Sequence, residues 1–378
     1  MYLSVYIRIH RFVRRLWFAV RYCTVCNKKT KMNYTEDFET NLWKKLITRL
    51  VKDDSSEIKT FIAILVMAIF ILGLLANVVT CAVILYDRTM HTATNYYLFN
   101  LAVSDVVFGL TLLIESFMCL MPEYYQRDNV ECLLHMFIMM FTADNIALTV
   151  TTLTLERYVA VTNPMFFKST PVWRRVMKTI MLIWILSFLT AVAEMSSYGI
   201  VNTEDFTFCI LLPTRVARVI NFIIAVLLFI VPLVTMTYVY VVIVIKVKDS
   251  ARKNENMISN QRDNSLKINK LAVALTCSFL VCWGPFFVTR VIMFTYEIPE
   301  MFDMIEYWRI LYHGSFLTTS FTIIVNPILF SLMSTKFRKA FKKFWLLKIR
   351  RKTISMATTN LRENSSRTLE KITTHSSF

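Results

Sequence analysis

Seven long apolar segments dominate this 378-residue sequence and restrict the folds that are open to it. The hydrocarbon core of a bilayer is about 30 Å thick, so a helix needs about 20 mostly apolar residues to cross it. Each of the seven segments is long enough for one crossing. They lie at approximately residues 58–86, 95–119, 132–158, 176–201, 217–245, 268–295 and 308–332. We therefore predict an all-α membrane protein that is built as a seven-transmembrane helix bundle.

The composition supports a membrane protein and argues against two other classes. Hydrophobic residues make up 56% of the chain and charged residues 18%, and the mean hydropathy is +0.49, which is too apolar for a soluble domain of this length. The formal charge of +17 would suit nucleic acid, but basic tracts beside apolar spans more often face the cytoplasmic leaflet. The eight cysteines lack metal-ligand spacing, apart from Cys23 and Cys26. We expect membrane lipids as partners, and no nucleic acid, metal or cofactor.

Lysine and arginine in the short loops set the orientation of the chain in the membrane. Basic residues follow the third and fifth segments, at Lys168, Arg174, Arg175 and Lys178, and at Lys246, Lys248, Arg252, Lys253, Arg262, Lys267 and Lys270. The loops after the second, fourth and sixth segments are mainly acidic. Acids contribute little to topology, but the basic residues alone give the same answer. The N-terminus is therefore predicted outside the cell and the C-terminus in the cytoplasm.

Residues 1–31 differ from the extracellular tail that this topology requires. They carry eight lysines and arginines and no acids, a composition that resists translocation across a membrane. Met32 then opens an acidic stretch with a glycosylation sequon at Asn33 and Thr35. One hypothesis is that Met32 is a functional start and that 1–31 is an upstream extension. The alternative is that 1–31 forms a basic amphipathic segment on the membrane surface.

Polar side chains within the apolar segments indicate function, because a polar group in a bilayer core is unfavourable. Asn77, Asp105, Arg157 and Asn326 lie in the first, second, third and seventh segments. Asn77 could serve helix packing alone. An acid at the middle of the membrane, such as Asp105, needs a polar partner, a cation or a proton.

Five short motifs occur in order on these segments. They are Asn-Tyr-Tyr-Leu-Phe-Asn-Leu-Ala-Val-Ser-Asp at 95–105, Glu-Arg-Tyr at 156–158, Cys-Trp-Gly-Pro at 282–285, Asn-Pro-Ile-Leu-Phe at 326–330 and Phe-Arg-Lys-Ala-Phe at 337–341. Over about residues 58–345 the chain resembles the rhodopsin-like, class A G-protein-coupled receptors. The resemblance implies a plasma-membrane receptor rather than an enzyme. It divides the chain into an extracellular tail at 1–57, a receptor domain at 58–332, an amphipathic eighth helix at 333–347 and a cytoplasmic tail at 348–378.

The resemblance and the chemistry of the residues together assign an activation switch. Its members are Asn77, Asp105, Glu156, Arg157, Tyr158, Tyr240, Phe279, Trp283, Pro285, Asn326 and Pro327. We expect Glu156 to hold the Arg157 guanidinium in a desolvated ion pair that is released on activation. Proline removes a helix hydrogen bond, so Pro285 and Pro327 should kink their helices, as should Pro232. Ligand pressure on Trp283 and Phe279 would then swing the sixth helix outward, although buried aromatic residues such as these are often plain packing.

The resemblance also implies an extracellular disulfide between Cys132 and Cys209, both of which lie on the oxidising side. The alternative is two free thiols.

Several positions depart from the family pattern. Phe330 replaces a tyrosine, and Glu194 replaces a common proline. Ile146, Thr322 and Ile323 lie where the family usually has polar sodium ligands, and no cysteine follows Cys282 as a palmitoyl anchor. Sodium binding at Asp105 is therefore not expected, and the aromatic side chains of the eighth helix must hold it to the bilayer.

The ligand class follows from the same resemblance. Met139 lies where amine receptors have aspartate, and Ser320 lies where opsins have the retinal lysine. Motifs around residues 88–99, 148–156, 290 and 333–337 look most similar to the neuromedin U, pyrokinin and capa branch of neuropeptide receptors. That branch uses two glutamates for a basic, amidated peptide end. Here Glu115 is displaced by one residue and Met140 replaces the other glutamate. The expected pocket consists of Glu115, Met136, Met139, Met140, Phe287, Arg290, Tyr312 and Phe316.

On the cytoplasmic side the resemblance implies a heterotrimeric G protein, of the Gq type, and arrestin. Serines and threonines at 353–368 are candidate kinase targets for arrestin recruitment. A transporter or channel is a rival class, since intramembrane charge also marks permeation paths. The sequence lacks the internal repeats and glycine-broken helices that are typical of transporters. An orphan or weakly signalling receptor of the same fold is a second alternative, because of Phe330.

Overall fold

The computed structural model describes residues 41–42, 45–46, 48–49, 56–121, 128–163, 171–202, 207–212, 214–253, 259–295, 305–333 and 336–346. The predictions for residues 1–31, for Cys23 and Cys26, for the sequon at Asn33 and for the cytoplasmic tail at 348–378 lie outside these residues.

Seven helices in the described part of the chain are long and apolar enough to cross a membrane, which confirms the predicted bundle. They are α1 (Ser56–Tyr86), α2 (Ala93–Leu120), α3 (Asn129–Thr162), α4 (Val172–Met195), α5 (Arg215–Lys253), α6 (Ser259–Thr295) and α7 (Ile305–Met333). Residues 336–346 are also helical and are called α8. A 3₁₀ turn at Arg88–Met90 joins α1 to α2.

The fourth segment ends earlier than the sequence predicts. The apolar run was expected to continue as a helix to residue 201, but α4 ends at Met195. The chain then forms an antiparallel hairpin of β1 (Tyr198–Asn202) and β2 (Thr207–Leu211), with Ile200 paired to Cys209. β-branched and aromatic residues favour strands over helices, so hydropathy alone could not mark this boundary.

The helices pack in chain order, and α7 returns to contact α1 and α2. α3 lies in the middle of the bundle, with contacts to α2, α4, α5 and α6. Buried apolar side chains of α2, α3 and α6 form much of the interior, which also contains polar side chains. Large apolar side chains such as Phe61, Leu75, Leu189 and Phe222 lie exposed on the outer surface. An apolar exterior with its polar groups inside is the arrangement that a lipid environment requires.

The fifth segment contains an irregular turn that the sequence did not predict. α5 is α-helical at Arg215–Ala225 and Val231–Lys253, with a π-helical turn at Val226–Ile230 between them. This turn directly precedes Pro232, whose predicted effect was a kink. It places Phe229 4.8 Å from Phe287 of α6, ring centre to ring centre, and 5.9 Å from Phe279. Such π-helical turns are often found at functional sites.

At the inner end of the bundle, α8 is joined to the turn between α1 and α2. Phe337 and Ala340 are buried against Val83 and Met90. Lys343 Nζ lies 3.2 Å from the Asp87 carboxylate, which also accepts hydrogen bonds from Thr89. The hydrogen bonds from Thr89 and the contact with Lys343 lower the pKa of Asp87, so this carboxylate stays ionised at neutral pH.

α1 and α7 approach each other closely at Gly73. A methyl group added at Gly73 would collide with the Ile323 side chain and lie 3.2 Å from the Ile323 carbonyl oxygen. Asn77, one turn further along α1, donates hydrogen bonds of 2.9 Å to the carbonyls of both Gly73 and Ile323. Small residues that let backbones approach are a common feature of membrane helix interfaces.

Gly73→Ala should therefore destabilise the purified protein by about 1–3 kcal/mol, because the buried, β-branched Ile323 has little freedom to move away. Gly314→Ala in α7 is the matched control, since a methyl group there meets no atom within 4 Å. Thermal unfolding in detergent measures both. Equal melting temperatures for the two variants would contradict the close approach of α1 and α7.

Candidate functional site

The hairpin between α4 and α5 covers the outer end of the bundle and is fixed to α3. The disulfide between Cys132 and Cys209 is present, as the resemblance predicts. Both cysteines are buried together with Met136, and Met139, Tyr198 and Ile200 pack against them. The predicted pocket residues Met136 and Met139 therefore lie directly below the disulfide.

Tyr198 connects the hairpin to the predicted pocket. Its hydroxyl lies 4.0 Å from the sulfur of Met140. Burial raises the pKa of Tyr198 to about 12, so the hydroxyl keeps its proton at neutral pH. Tyr198 was not among the predicted pocket residues, because the fourth segment was expected to be helical there.

Glu115, the predicted pocket acid on α2, is paired with a residue that the sequence did not indicate. Its carboxylate lies 3.1 Å from His135 Nε2 of α3. His135 is one turn from Cys132, and both side chains of the pair are largely buried. The contact is a hydrogen bond for neutral histidine and a salt bridge for the imidazolium form.

Arg290, predicted as a pocket residue on α6, lies at the centre of a group from four helices. Its Nη2 is 2.7 Å from Glu194 Oε1 of α4 and also donates to Asn221 Oδ1 of α5. Its Nη1 is 3.8 Å from the sulfur of Met140 on α3. The guanidinium lies 5.4 Å from the centre of the Phe286 ring, within cation–π range. Asn221 was missed, and Glu194 was noted only as a departure from the family pattern, since segment positions do not indicate which side chains meet across a bundle.

A further buried acid lies near this group. Asp144 of α3 accepts a 2.5 Å hydrogen bond from the Thr190 hydroxyl of α4. It interacts electrostatically with both Glu194 and Arg290. Since Thr190 precedes Glu194 by one helical turn, α4 presents two polar contacts to this region. Asp144 is an acid within the third apolar segment, and such a position is by itself a sequence signal of function.

Aromatic rings extend from Arg290 towards the middle of the bundle. Phe287 lies 6.4 Å from Trp283, ring centre to ring centre, and Trp283 lies 5.5 Å from Phe108 of α2. The last two predicted pocket residues are on α7: Phe316 packs against the main core, and Tyr312 is 43% exposed with its ring 5.5 Å from His313.

Below Trp283 lies a small cavity with polar groups in its wall. Its lining residues are Ile146, Val150, Leu275, Ser278, Phe279, Cys282, Trp283, Thr322, Val325 and Asn326. Pro285 lies within α6 and Pro327 within α7, one on either side of this region. The cavity therefore lies between the two proline-containing helices.

Asp105, predicted to need a partner, accepts a 3.0 Å hydrogen bond from the Asn326 amide of α7. Asp105 is fully buried. Within the described ranges, its second oxygen and the Thr322 hydroxyl make no hydrogen bond. Ile146 and Ile323 are buried and offer no oxygen ligand from their side chains.

A second polar network joins α2, α3 and α4, and its residues were not among the predicted site residues. Asn100 donates to Asn145 at 2.8 Å and to Thr149 at 2.9 Å, and the Trp184 indole donates to Asn100 at 2.8 Å. The Ser104 hydroxyl also donates to Asn145. These bonds fix three helices relative to one another on the side of the bundle away from α6.

The predicted pairing of Glu156 with Arg157 is present only as an electrostatic interaction, without a direct ion-pair contact between these two described side chains. The Glu156 carboxylate binds Arg175 of α4 instead. Successive residues on an α-helix do not face each other, so an adjacent glutamate and arginine are poorly placed to pair. Arg175 had been read only as a basic loop residue.

The remaining switch residues lie close to this inner end. Arg157 and Tyr240 are half-buried, and Tyr158 packs near Tyr238, with 6.4 Å between ring centres. Phe330, which lacks the hydroxyl of the family's tyrosine, is buried in the core between the helices.

Comparison with known proteins agrees with this architecture. The chain is 28% identical to neuromedin-U receptor 2 of Mus musculus over 305 residues, which cover 76% of this chain and 75% of the relative. It is 26% identical to the pyrokinin-1 receptor of Drosophila melanogaster over 366 residues, which cover 82% and 84%. A neuromedin U receptor homolog of Caenorhabditis elegans is 28% identical over 310 residues, which cover 72% and 76%.

The family model for the seven-transmembrane receptors of the rhodopsin family matches residues 76–330, from the last third of α1 through the hairpin to near the end of α7. Members of this family are signalling receptors rather than enzymes. The chain belongs to the rhodopsin family of seven-transmembrane receptors.

Proposed function

We propose that this protein is a plasma-membrane receptor for a neuropeptide, with its N-terminus outside the cell. The observation that carries the proposal is the outer half of the bundle, where the Glu115–His135 and Glu194–Arg290 pairs lie beneath a hairpin held by a disulfide. Charged groups buried in this way suit a polar ligand better than a lipid-like one. The names of the relatives, neuromedin U and pyrokinin receptors, support a peptide.

The peptide signal passes through α6 to a heterotrimeric G protein, of the Gq type. Arg290 and Trp283 lie on the same helix as Pro285, so a change at the outer pocket can bend α6 at the proline. Outward movement of the inner end of α6 would expose Arg157 and Tyr240 to the G protein. Arrestin then binds the phosphorylated cytoplasmic tail, and α8 and the basic loops contact anionic lipids.

Phe330 favours one alternative within the same fold. The buried phenyl ring cannot donate the hydrogen bond that a tyrosine would supply between helices in the active form. A receptor with low signalling efficiency is therefore the second candidate function. A transporter is the less favoured alternative.

A calcium assay with a panel of peptides that includes neuromedin U and pyrokinins tests the main proposal. At least one peptide should raise calcium in expressing cells, and Arg157→Gln should abolish that response at unchanged surface expression. Arg174→Gln, at an exposed position on α4, should keep it. An N-terminal epitope tag should be detected on intact cells. A response that survives Arg157→Gln, or a peptide-dependent current in its place, would contradict the proposal.

Glu115→Gln should weaken the activating peptide if Glu115 contacts a basic group of the ligand. Loss of a charge-assisted hydrogen bond, about 1.5–3 kcal/mol, corresponds to a potency loss of about 10- to 100-fold. Glu131→Gln, at an exposed position in the first turn of α3, is the matched control and should leave potency unchanged. Dose–response curves measure both. Equal potency for the two variants would remove Glu115 from the ligand site.

Arg175→Gln should lower basal signalling. Without Arg175, the Glu156 carboxylate loses its partner on α4 and becomes available to Arg157, which restrains the residue that contacts the G protein. We expect basal nucleotide exchange to fall by about two- to fivefold, the effect of an ion pair of about 0.5–1 kcal/mol. Arg174→Gln removes the same charge from the neighbouring exposed position and should have no effect. An increase in basal exchange would show that the Glu156–Arg175 pair restrains the receptor.

A further inference from the structure

The Glu194–Arg290 ion pair is the most deeply buried charged contact in the described part of the outer bundle. Glu194 is 0% exposed and Arg290 6% exposed. Glu194 lies in the last turn of α4, and the Ser197 amide donates to its carbonyl where the chain turns into the hairpin. A negative charge at the C-terminal end of a helix is unfavourable, because it faces the negative end of the helix dipole. An acid at this position therefore needs strong compensation.

The compensation that the protein itself provides is incomplete. Arg290 Nη2 contacts Glu194 Oε1 at 2.7 Å, but Glu194 Oε2 and Arg290 Nε make no hydrogen bond to any residue that the structure describes. A carboxylate can accept about four hydrogen bonds. Buried polar atoms are nearly always satisfied in native proteins, and those that are not call for an explanation.

Acidic side chains outnumber permanently cationic ones around the pair. Asp144 and Glu194 are both buried and both interact with Arg290, the one cation that faces them among the described residues. Tyr198 lies within electrostatic range of Glu115, Glu194, Asp144 and Arg290. The ion-pair partner of Glu115 is His135. With three acids and one permanent cation in this region, a further cationic group would find an acidic side chain to pair with.

Arg290 also links these acidic residues to α6. It lies five residues after Pro285, and through Glu194 it ties the outer part of α6 to α4. Asn221 and Met140 complete the contacts of the guanidinium from α5 and α3. A group that replaced Arg290 at Glu194 would break this connection between α4 and α6.

We propose that Glu194 is the binding residue for a guanidinium group of the ligand, and that Arg290 occupies this position in the absence of ligand. The inference rests on the proposed peptide-receptor function and adds a residue on α4 that recognises the ligand. A guanidinium offers two parallel N–H donors that can bind both oxygens of a carboxylate, whereas Arg290 contacts only Oε1 of Glu194, through Nη2. When it binds Glu194, Arg290 loses its anionic partner and α6 is released from α4.

The test uses a fragment, so that it does not depend on knowing the natural peptide. Thermal unfolding of the purified full-length receptor is measured with argininamide and with citrullinamide, a neutral analogue of the same shape, each at about 10 mM. Argininamide should raise the melting temperature of the wild type by about 2 °C or more, the effect of a ligand well above its dissociation constant. Citrullinamide should not.

Two variants should change this shift in opposite directions. Glu194→Gln should abolish it, and Arg290→Gln should increase it, because the internal competitor for Glu194 is removed. The double variant Glu194→Gln with Arg290→Gln removes both charges of the pair and serves if either single variant folds poorly; it too should show no shift. Glu131→Gln is the control with a full shift. A brace without ligand function would lower stability in both single variants but could not produce opposite responses to argininamide.

A wild type that does not distinguish the two fragments would overturn the inference, as would an undiminished shift in Glu194→Gln. Neither result depends on the peptide panel, so the receptor could still respond to peptides through other contacts. Conversely, a guanidinium-dependent shift without any peptide response would support Glu194 as a binding residue and argue against the proposed peptide ligand.

Discussion

A hydrocarbon environment offers no hydrogen bonds, so each polar side chain inside this bundle must find its partner on another helix. The structure meets this requirement in separate layers. Asn100, Asn145 and Trp184 join three helices on one side, Asp105 binds Asn326 in the middle, and Arg290 lies among four helices near the outside. These contacts set the relative positions of helices whose outer surfaces are uniformly apolar.

The layers differ in the number of hydrogen bonds that join their helices. The Asn100 network makes several such bonds between three helices, although the Asn145 amide nitrogen has no partner among the described residues. Asp105 and Glu194 each keep a buried oxygen without a hydrogen bond among the described residues. Both lie next to α6 or α7, the helices that contain Pro285 and Pro327. Incomplete pairing beside a bendable helix is what a two-state element requires, because the second state can improve the contacts that the first lacks.

The two ends of the bundle use ion pairs in comparable ways. At the inner end, Arg175 of α4 binds Glu156, the neighbour of Arg157 in the sequence. At the outer end, Glu194 of α4 binds Arg290 of α6. α4 therefore contributes a charged partner at both membrane faces. This makes α4 more than a peripheral support, even though much of its surface is exposed to lipid.

The sequence by itself determined the seven crossings, the proline positions and the buried polar residues of α1, α2, α3 and α7, because hydropathy and intramembrane polarity are properties of single segments. The family motifs added the disulfide. The tertiary structure alone decided which charges meet: Glu156 with Arg175, Glu115 with His135, and Arg290 with Glu194. It also decided where α4 gives way to the hairpin. Contacts across a bundle depend on the rotation and depth of each helix, and a linear apolar pattern specifies neither.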